Sequence, residues 1–223
     1  GPPRLRRMMP ALAFDADLLR RYDRPGPRYT SYPTAPQFDA AFGEDALIRA
    51  IQDSNGDPIP RRLSIYVHVP FCLSPCFYCG CNRVITRDKT RAEVYLTHLG
   101  REIAAIAALF DRDREVIQLH FGGGTPNFLS PTQLRCTVEV LKRHFRFSDA
   151  DNRDISIELD PRTVSPQDMA ELALAGFNRA SLGVQDFDPA VQAAVNRIQG
   201  VEQTRAVVDA CRNHGFRSIN LDL

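Results

Sequence analysis

Cys72, Cys76, Cys79 and Cys81 fall within ten residues, directly after the strand-like run Leu63-Ser-Ile-Tyr-Val-His-Val69. Thiols this crowded are costly to keep unless they bond a metal or one another. A zinc ribbon needs two well-separated cysteine pairs, and this chain does not space them so. Cys72-x3-Cys76-x2-Cys79 suits three ligands wrapped round one edge of an iron–sulfur cluster, which Cys thiolates hold. Cys81 stands two residues beyond Cys79 and would point the other way in an extended loop. It is therefore expected beside the ligands or toward a substrate. The plain alternative is one disulfide and two buried thiols. Cys136 and Cys211 lie in helical patterns and are expected as core residues.

Further chemistry-bearing residues recur where strands end. Phe121-Gly122-Gly123-Gly124-Thr125-Pro126 lets backbone approach a ligand where a Cβ would collide. It lacks the Gly-Lys-Ser/Thr ending of a phosphate loop. Glu158 closes the run Ser156-Ile-Glu-Leu-Asp-Pro161, and its carboxylate can accept from two ribose hydroxyls or an ammonium. Gln185 and Asp186 end the next strand, Arg197 follows, and Asp222 ends the last. Singly, each could be a solvated strand-end residue; recurrence on one rim raises them together. His68 shares a strand face with Tyr66 and could be a proton donor or a packed histidine. His120, before the glycines, is expected to be structural.

The elements that must position them alternate. Strands are predicted over Leu63 to Val69, Val116 to Phe121, Ile155 to Leu159, Ala180 to Val184 and Ser218 to Leu223. Ala92, Tyr95, Leu96, Leu99, Ile103, Ile106 and Phe110 step by threes and fours, the mark of an amphipathic helix. Ser130-Pro131-x-Gln133 and Ser165-Pro166-Gln167-Asp168 start two more helices, Asp188-Pro189 a short one, and Val201 to Asn213 another. Gly176-Phe177 and Gly215-Phe216 echo each other as helix-to-strand joints, each Gly taking a left-handed cap. Such units build a parallel sheet covered by helices, either a partial barrel or a doubly wound sheet. Both put sites at the C-terminal ends of strands.

The 223 residues are 43% hydrophobic and 25% charged, a globular composition. Net charge of +1 gives no basic field for nucleic acid, and no apolar run suggests a membrane span. Reduced cysteines and the lack of a signal-like start point to the cytoplasm. Gly1-Pro2 reads as a tag remnant. Three segments are expected: a tag-like or disordered N-terminus over 1–17, an arm and helix over 18–60, and the core over 61–223. The chain stops in an apolar strand at Leu223, which reads as a piece of a longer protein.

Cys72-x3-Cys76-x2-Cys79 is the signature of the radical S-adenosylmethionine (SAM) enzymes, and the chain resembles them. Arg28-Tyr-Thr-Ser-Tyr-Pro-Thr34, Tyr66-Val-His-Val-Pro70, Cys79-Gly-Cys-Asn82, Gly122-Gly-Gly-Thr-Pro126 and Gly183-Val-Gln-Asp-Phe187 extend the likeness to the oxygen-independent coproporphyrinogen III oxidase family, from about Leu18 to Leu223. The resemblance implies a (β/α)6 partial barrel, cut here after about its fifth strand. It implies a [4Fe–4S] cluster on Cys72, Cys76 and Cys79, with SAM on the open iron. Tyr66, Gly123 and Glu158 would contact that SAM. Tyr78, where the family carries Phe, would contact a second SAM together with Gly124, Thr125, Gln185, Arg197 and Asp222.

The implied reaction converts two propionates of coproporphyrinogen III to vinyl groups in haem biosynthesis. The substrate's four carboxylates call for arginines, and Arg24 and Arg28 of the arm either form part of that clamp or simply decorate a packing arm. The implied partners are the porphyrinogen and a flavodoxin-type electron donor, and the expected state is a monomer. Two other readings share the cysteines: a haem chaperone on the same scaffold, which lacks the Tyr-Thr-Ser-Tyr-Pro arm and the extra cysteine, and a zinc-stapled structural module.

Overall fold

The computed structural model describes residues 15–23, 34 and 37–223. Two compact units emerge, Gly1–Gly43 and Glu44–Leu223. In the first, α1 (Ala16–Tyr22) starts where the Asp15 carboxylate accepts from the Asp17 and Leu18 amides. The boundary at Gly43 puts α2 (Glu44–Asn55) in the larger unit.

The larger unit is a parallel sheet. Its strands β1 (Leu63–Val69), β4 (Glu115–Gly123), β6 (Asp154–Leu159), β7 (Arg179–Gly183) and β8 (Ser218–Asp222) lie side by side in chain order, and the two-residue β5 (Arg146–Phe147) pairs with β4. A two-residue pair, β2 (Phe71–Cys72) and β3 (Val84–Ile85), stands apart. Between the strands run α3 (Thr90–Ala107), α4 (Pro131–His144), α5 (Pro166–Ala175), α6 (Pro189–Ala194) and α7 (Val201–Asn213).

Period-two alternation gives the sheet two unlike faces. One row across the register reads Val67, Phe121, Ile157, Ala180, Ile219; the adjacent row reads Tyr66, His120, Ser156, Arg179, Ser218. The apolar rows form one core with Ile103 of α3, Leu134 and Val138 of α4, Met169 and Leu172 of α5, and Val207 and Cys211 of α7. Successive helices pack on each other, α3 on α4, α4 on α5 and α5 on α7. A single helical layer over an unreversed strand order is the barrel solution. A doubly wound sheet would reverse its order and carry helices on both faces. The fold is an arc of a β/α barrel with a polar inner face.

Local chemistry sets the element ends. Ser130 and Ser165 each cap a helix, with Gln133 and Asp168 completing capping boxes and Pro131 and Pro166 at the first turn. Gly176 (φ +103°) and Gly215 (φ +80°) take left-handed conformations, and Phe177 and Phe216 behind them are buried. The Phe177 amide donates to Leu172 and the Phe216 amide to Cys211, so the two joints are built alike. Two expectations need correction. Cys136 is exposed, because it stands two residues from Leu134 and so faces away from the buried side of α4. The fourth predicted strand ends at Gly183 instead of Val184, since the amides of Val184 and Gln185 both donate to Asp222 and Gln185 turns at φ +72°. Cys211 is buried as expected.

The ring of Phe177 meets Phe121 edge-on at 5.4 Å inside this core. Phe177→Ala should therefore lower stability by about 3–4 kcal/mol, read as a fall in the urea midpoint at unchanged slope.

Candidate functional site

Leaving β1, the chain enters β2, makes the cysteine loop and returns through β3. The loop is tied at its base, where Val84 N donates to Pro70 O (2.7 Å) and Thr86 N to Cys72 O (2.9 Å). Inside it, Cys79 N donates to Cys76 O (3.1 Å), so the loop turns rather than extends. Arg83 Nη1 donates to Cys79 O (2.8 Å), and His68 Nε2 donates to Asn82 O (2.9 Å) while its Nδ1 accepts from Tyr66 Oη (3.1 Å).

All four thiols of the loop border one cleft of about 480 Å³ at the C-terminal ends of the strands. Tyr78, Gly123, Gly124, Thr125, Glu158, Gln185, Arg197 and Asp222 border it too. Cys81 thus shares the cleft with Cys79, contrary to the alternation argument, because that argument holds only for extended chain. Tyr66 lies one step back, in an adjoining polar hollow with His120 and Ser156. Asp186 does not border the cleft; its backbone carbonyl accepts from Gln192. Arg24 and Arg28 fall outside the described residues, as does most of the Arg28–Thr34 motif.

The glycines are there for closeness. A Cβ on Gly124 would stand 2.9 Å from the Pro70 and Phe71 backbone, and one on Gly123 would stand 2.7 Å from the His68 ring. Gly123 N donates to Glu158 Oε2 (3.2 Å). With its proton on Nε2, His120 donates to Glu158 Oε1 (3.2 Å) and accepts from Ser156 at Nδ1 (2.7 Å), while Tyr66 stacks on its ring at 5.8 Å. His120 and Gly123 thereby hold Glu158 at the edge of the cleft.

Of the cationic wall, the sequence points to Arg197 but not to Asp160 and Arg162. The Asp160 carboxylate accepts a bidentate fork from Arg162, with Nη2 to Oδ2 at 2.6 Å, and Arg197 Nη2 lies 3.3 Å from its Oδ1. Arg197 also donates to Gly183 O (2.8 Å) and approaches Cys76 Sγ (3.7 Å). The run Asp160-Pro161-Arg162 after Glu158 held the only hint, a charged pair just past a strand end.

Among the described residues, the six cysteines are free, and no three His, Cys, Asp or Glu side chains close on a single ion. The donor set suits a larger group. Burial pushes the Cys72 thiol up, partly offset by the Thr125 hydroxyl at 3.4 Å. Burial, then the neighbouring Cys79, pushes Cys81 up to about 11. Thiols that resist ionising together become stable thiolates when metal binds them. Two guanidinium nitrogens on the cleft wall, Nε of Arg83 and of Arg197, are buried without a partner among the described residues.

The family model "Radical SAM superfamily" matches residues 66–223. The chain belongs to the radical SAM superfamily. Its cofactors are accordingly a [4Fe–4S] cluster and SAM, and the cleft's thiols, glycines and Glu158 fit them. The chain is 52% identical to the oxygen-independent coproporphyrinogen III oxidase of Pseudomonas aeruginosa, over 97% of this chain and 46% of that protein. It is 45% identical to the enzyme of the same name from Escherichia coli, over 94% and 44%. The solved structure of coproporphyrinogen III oxidase (HemN) from Escherichia coli, described as a radical SAM enzyme, superposes with a TM-score of 0.79 at 42% identity, over 95% of this chain and 45% of that one. The chain spans about half the length of the curated relatives it matches. No helix among the described residues is long and apolar enough to cross a membrane.

Asp160 supplies a stability test for this radical SAM site. Burial alone would raise its carboxyl, but hydrogen bonds from Arg162 and the charge of Arg197 win and hold it below the usual carboxylate range. A lowered folded value stabilises the fold above the ordinary Asp value of about 3.9 and loses that contribution as pH falls through the folded value. Asp160→Asn should cost about 3 kcal/mol at pH 7, and its gap from the wild type in urea midpoints should narrow on acidification below about pH 4.

Proposed function

We propose that this chain carries the cluster- and SAM-binding part of an oxygen-independent coproporphyrinogen III oxidase. The observation that carries the reading is one cleft bordered by the three spaced thiols, the glycine turn and Glu158. Cys72, Cys76 and Cys79 hold three irons. Tyr66, Gly123 and Glu158 serve the SAM on the fourth. Tyr78, Gly124, Thr125, Gln185, Arg197 and Asp222 serve a second SAM.

When bound, cluster and SAM would supply the radical chemistry that turns a propionate into a vinyl group. The chain's own residues prepare that event. Glu158, oriented by His120 and Gly123, offers carboxylate oxygens to ammonium or ribose hydroxyls. Gly124 lets the glycine turn lie directly against the Pro70 and Phe71 backbone, where a Cβ would stand 2.9 Å away. Arg197, fixed by Asp160 and Gly183, presents a cation toward a carboxylate. Cys81 stands beside the ligands as a thiol of the substrate side, and Arg24 and Arg28 meet the substrate's carboxylates. The substrate is coproporphyrinogen III, two propionates of which become the vinyls of protoporphyrinogen IX. The reductant is a flavodoxin-type donor, and the protein works as a cytoplasmic monomer.

Metal content decides the matter. After anaerobic reconstitution the protein should hold about four irons and four sulfides, and Cys76→Ala should lose most of them. Reduced holoprotein should then cleave SAM. Stoichiometric zinc with little iron in the same preparation would overturn the reading.

A further inference from the structure

The cysteine loop has one more set of supports, and these come from the far end of the sheet. After β7 the chain makes the short helix α6 and then the turn Val195-Asn196-Arg197. Phe77 N donates to Val195 O (3.1 Å), Asn196 Nδ2 donates to Pro75 O (2.7 Å), and Arg197 Nη1 approaches Cys76 Sγ (3.7 Å). Three consecutive residues therefore grip Pro75, Cys76 and Phe77, the stretch around the middle cysteine.

The turn itself is stiff. Asn196 holds φ +57°, a left-handed value that Asn tolerates better than most residues. Arg197 N donates to Gln192 O (2.8 Å). Beneath the turn, the buried Gln192 amide donates to Asp186 O (2.8 Å) and Gln199 O (2.7 Å) and accepts from Gln199 N (3.0 Å). A second buried amide, Gln199, donates to Thr204 (2.8 Å) and so links the turn to α7. A backbone braced this way can act as a strut.

Resting on the cluster reading above, we infer that Asn196 is a positioning residue for cluster retention. Its amide fixes the Pro75 carbonyl, and with it the direction in which Cys76 presents sulfur. The same turn carries Arg197, so a ligand held by that guanidinium and the cysteine loop share one support. A residue chosen only for its left-handed turn would need no donor there, and glycine would serve as well.

That difference is testable in the complete holoprotein. Asn196→Gly keeps the turn and removes the amide, Asn196→Asp keeps the shape and removes the donor, and Asn178→Ala weakens a different loop. Asn178 ties the starts of neighbouring strands through Ile155 N and Arg153 O, away from the cleft. The readouts are the rate of iron loss to an external chelator, the electron paramagnetic resonance signal of the reduced cluster, and the thermal midpoint of the apoprotein. Both Asn196 variants should lose iron about five-fold faster than the wild type, the factor that one hydrogen bond supplies, with an altered resonance signal. Asn178→Ala should lower the midpoint and leave the iron-loss rate unchanged. Iron loss unchanged in Asn196→Gly would overturn the inference, as would acceleration in Asn178→Ala in proportion to its lost stability. A wild type that takes up zinc and no iron would instead overturn the cluster reading, and the strut's purpose with it.

Discussion

A loop that offers three sulfurs to one cluster has to be stiff before the metal arrives. Loops of this length usually carry little internal order, and thiols brought together without metal resist ionising side by side. Here the restraint comes from outside the loop. The β2–β3 pair closes its base, His68 of β1 holds Asn82, Arg83 folds back on the Cys79 carbonyl, and the turn after α6 grips its middle. Each tie uses a backbone group that would otherwise need water. The rest of the site follows, because the glycine turn and Glu158 are placed relative to that held loop.

Charge is arranged on the same principle. Asp160 is one carboxylate between two guanidiniums, and that imbalance leaves net positive charge on the wall beside Cys76. An iron–sulfur cluster on thiolates carries negative charge, and hydrogen bonds and cations near its sulfurs set its reduction potential. Gly183 fits the same picture: a Cβ there would stand 2.9 Å from Arg197 Nη2, so the strand end stays bare for the guanidinium to lie across it.

The five main strands, the capped helices and the paired Gly-Phe joints were legible in the sequence because each depends on neighbours a few residues away. Cys72, Cys76 and Cys79 were legible through their spacing, and Glu158 through its strand end. The ties that hold the site were not. Asn196 to Pro75 spans 121 positions, and no local pattern announces such a contact. Nothing local marks Asp160 and Arg162 as part of the wall, because only the fold buries Asp160 and brings Arg197 to it. Alternation fails at Cys81 because it presumes extended chain, and Cys136 sits on the outward side of a helix whose period marks Leu134, Val138 and Leu141 as buried. Choosing between barrel and doubly wound sheet needed the strand order, which lies beyond any local signal.

The two-faced sheet divides tolerance to mutation unevenly. Its stability resides almost wholly in the rows under the helices, where Phe121, Ile157 and Leu182 are shut away from solvent. The inner rows, with Gln118, Ser156, Ser181 and Asn220, contribute hydrogen bonds at a half-wet surface, and changes there cost little folding energy. Lineages built on this plan can rewrite the lumen to suit new substrates while the foundation stays untouched. Selection acting on chemistry and selection acting on folding then draw on separate sets of residues, separated by one peptide step along every strand.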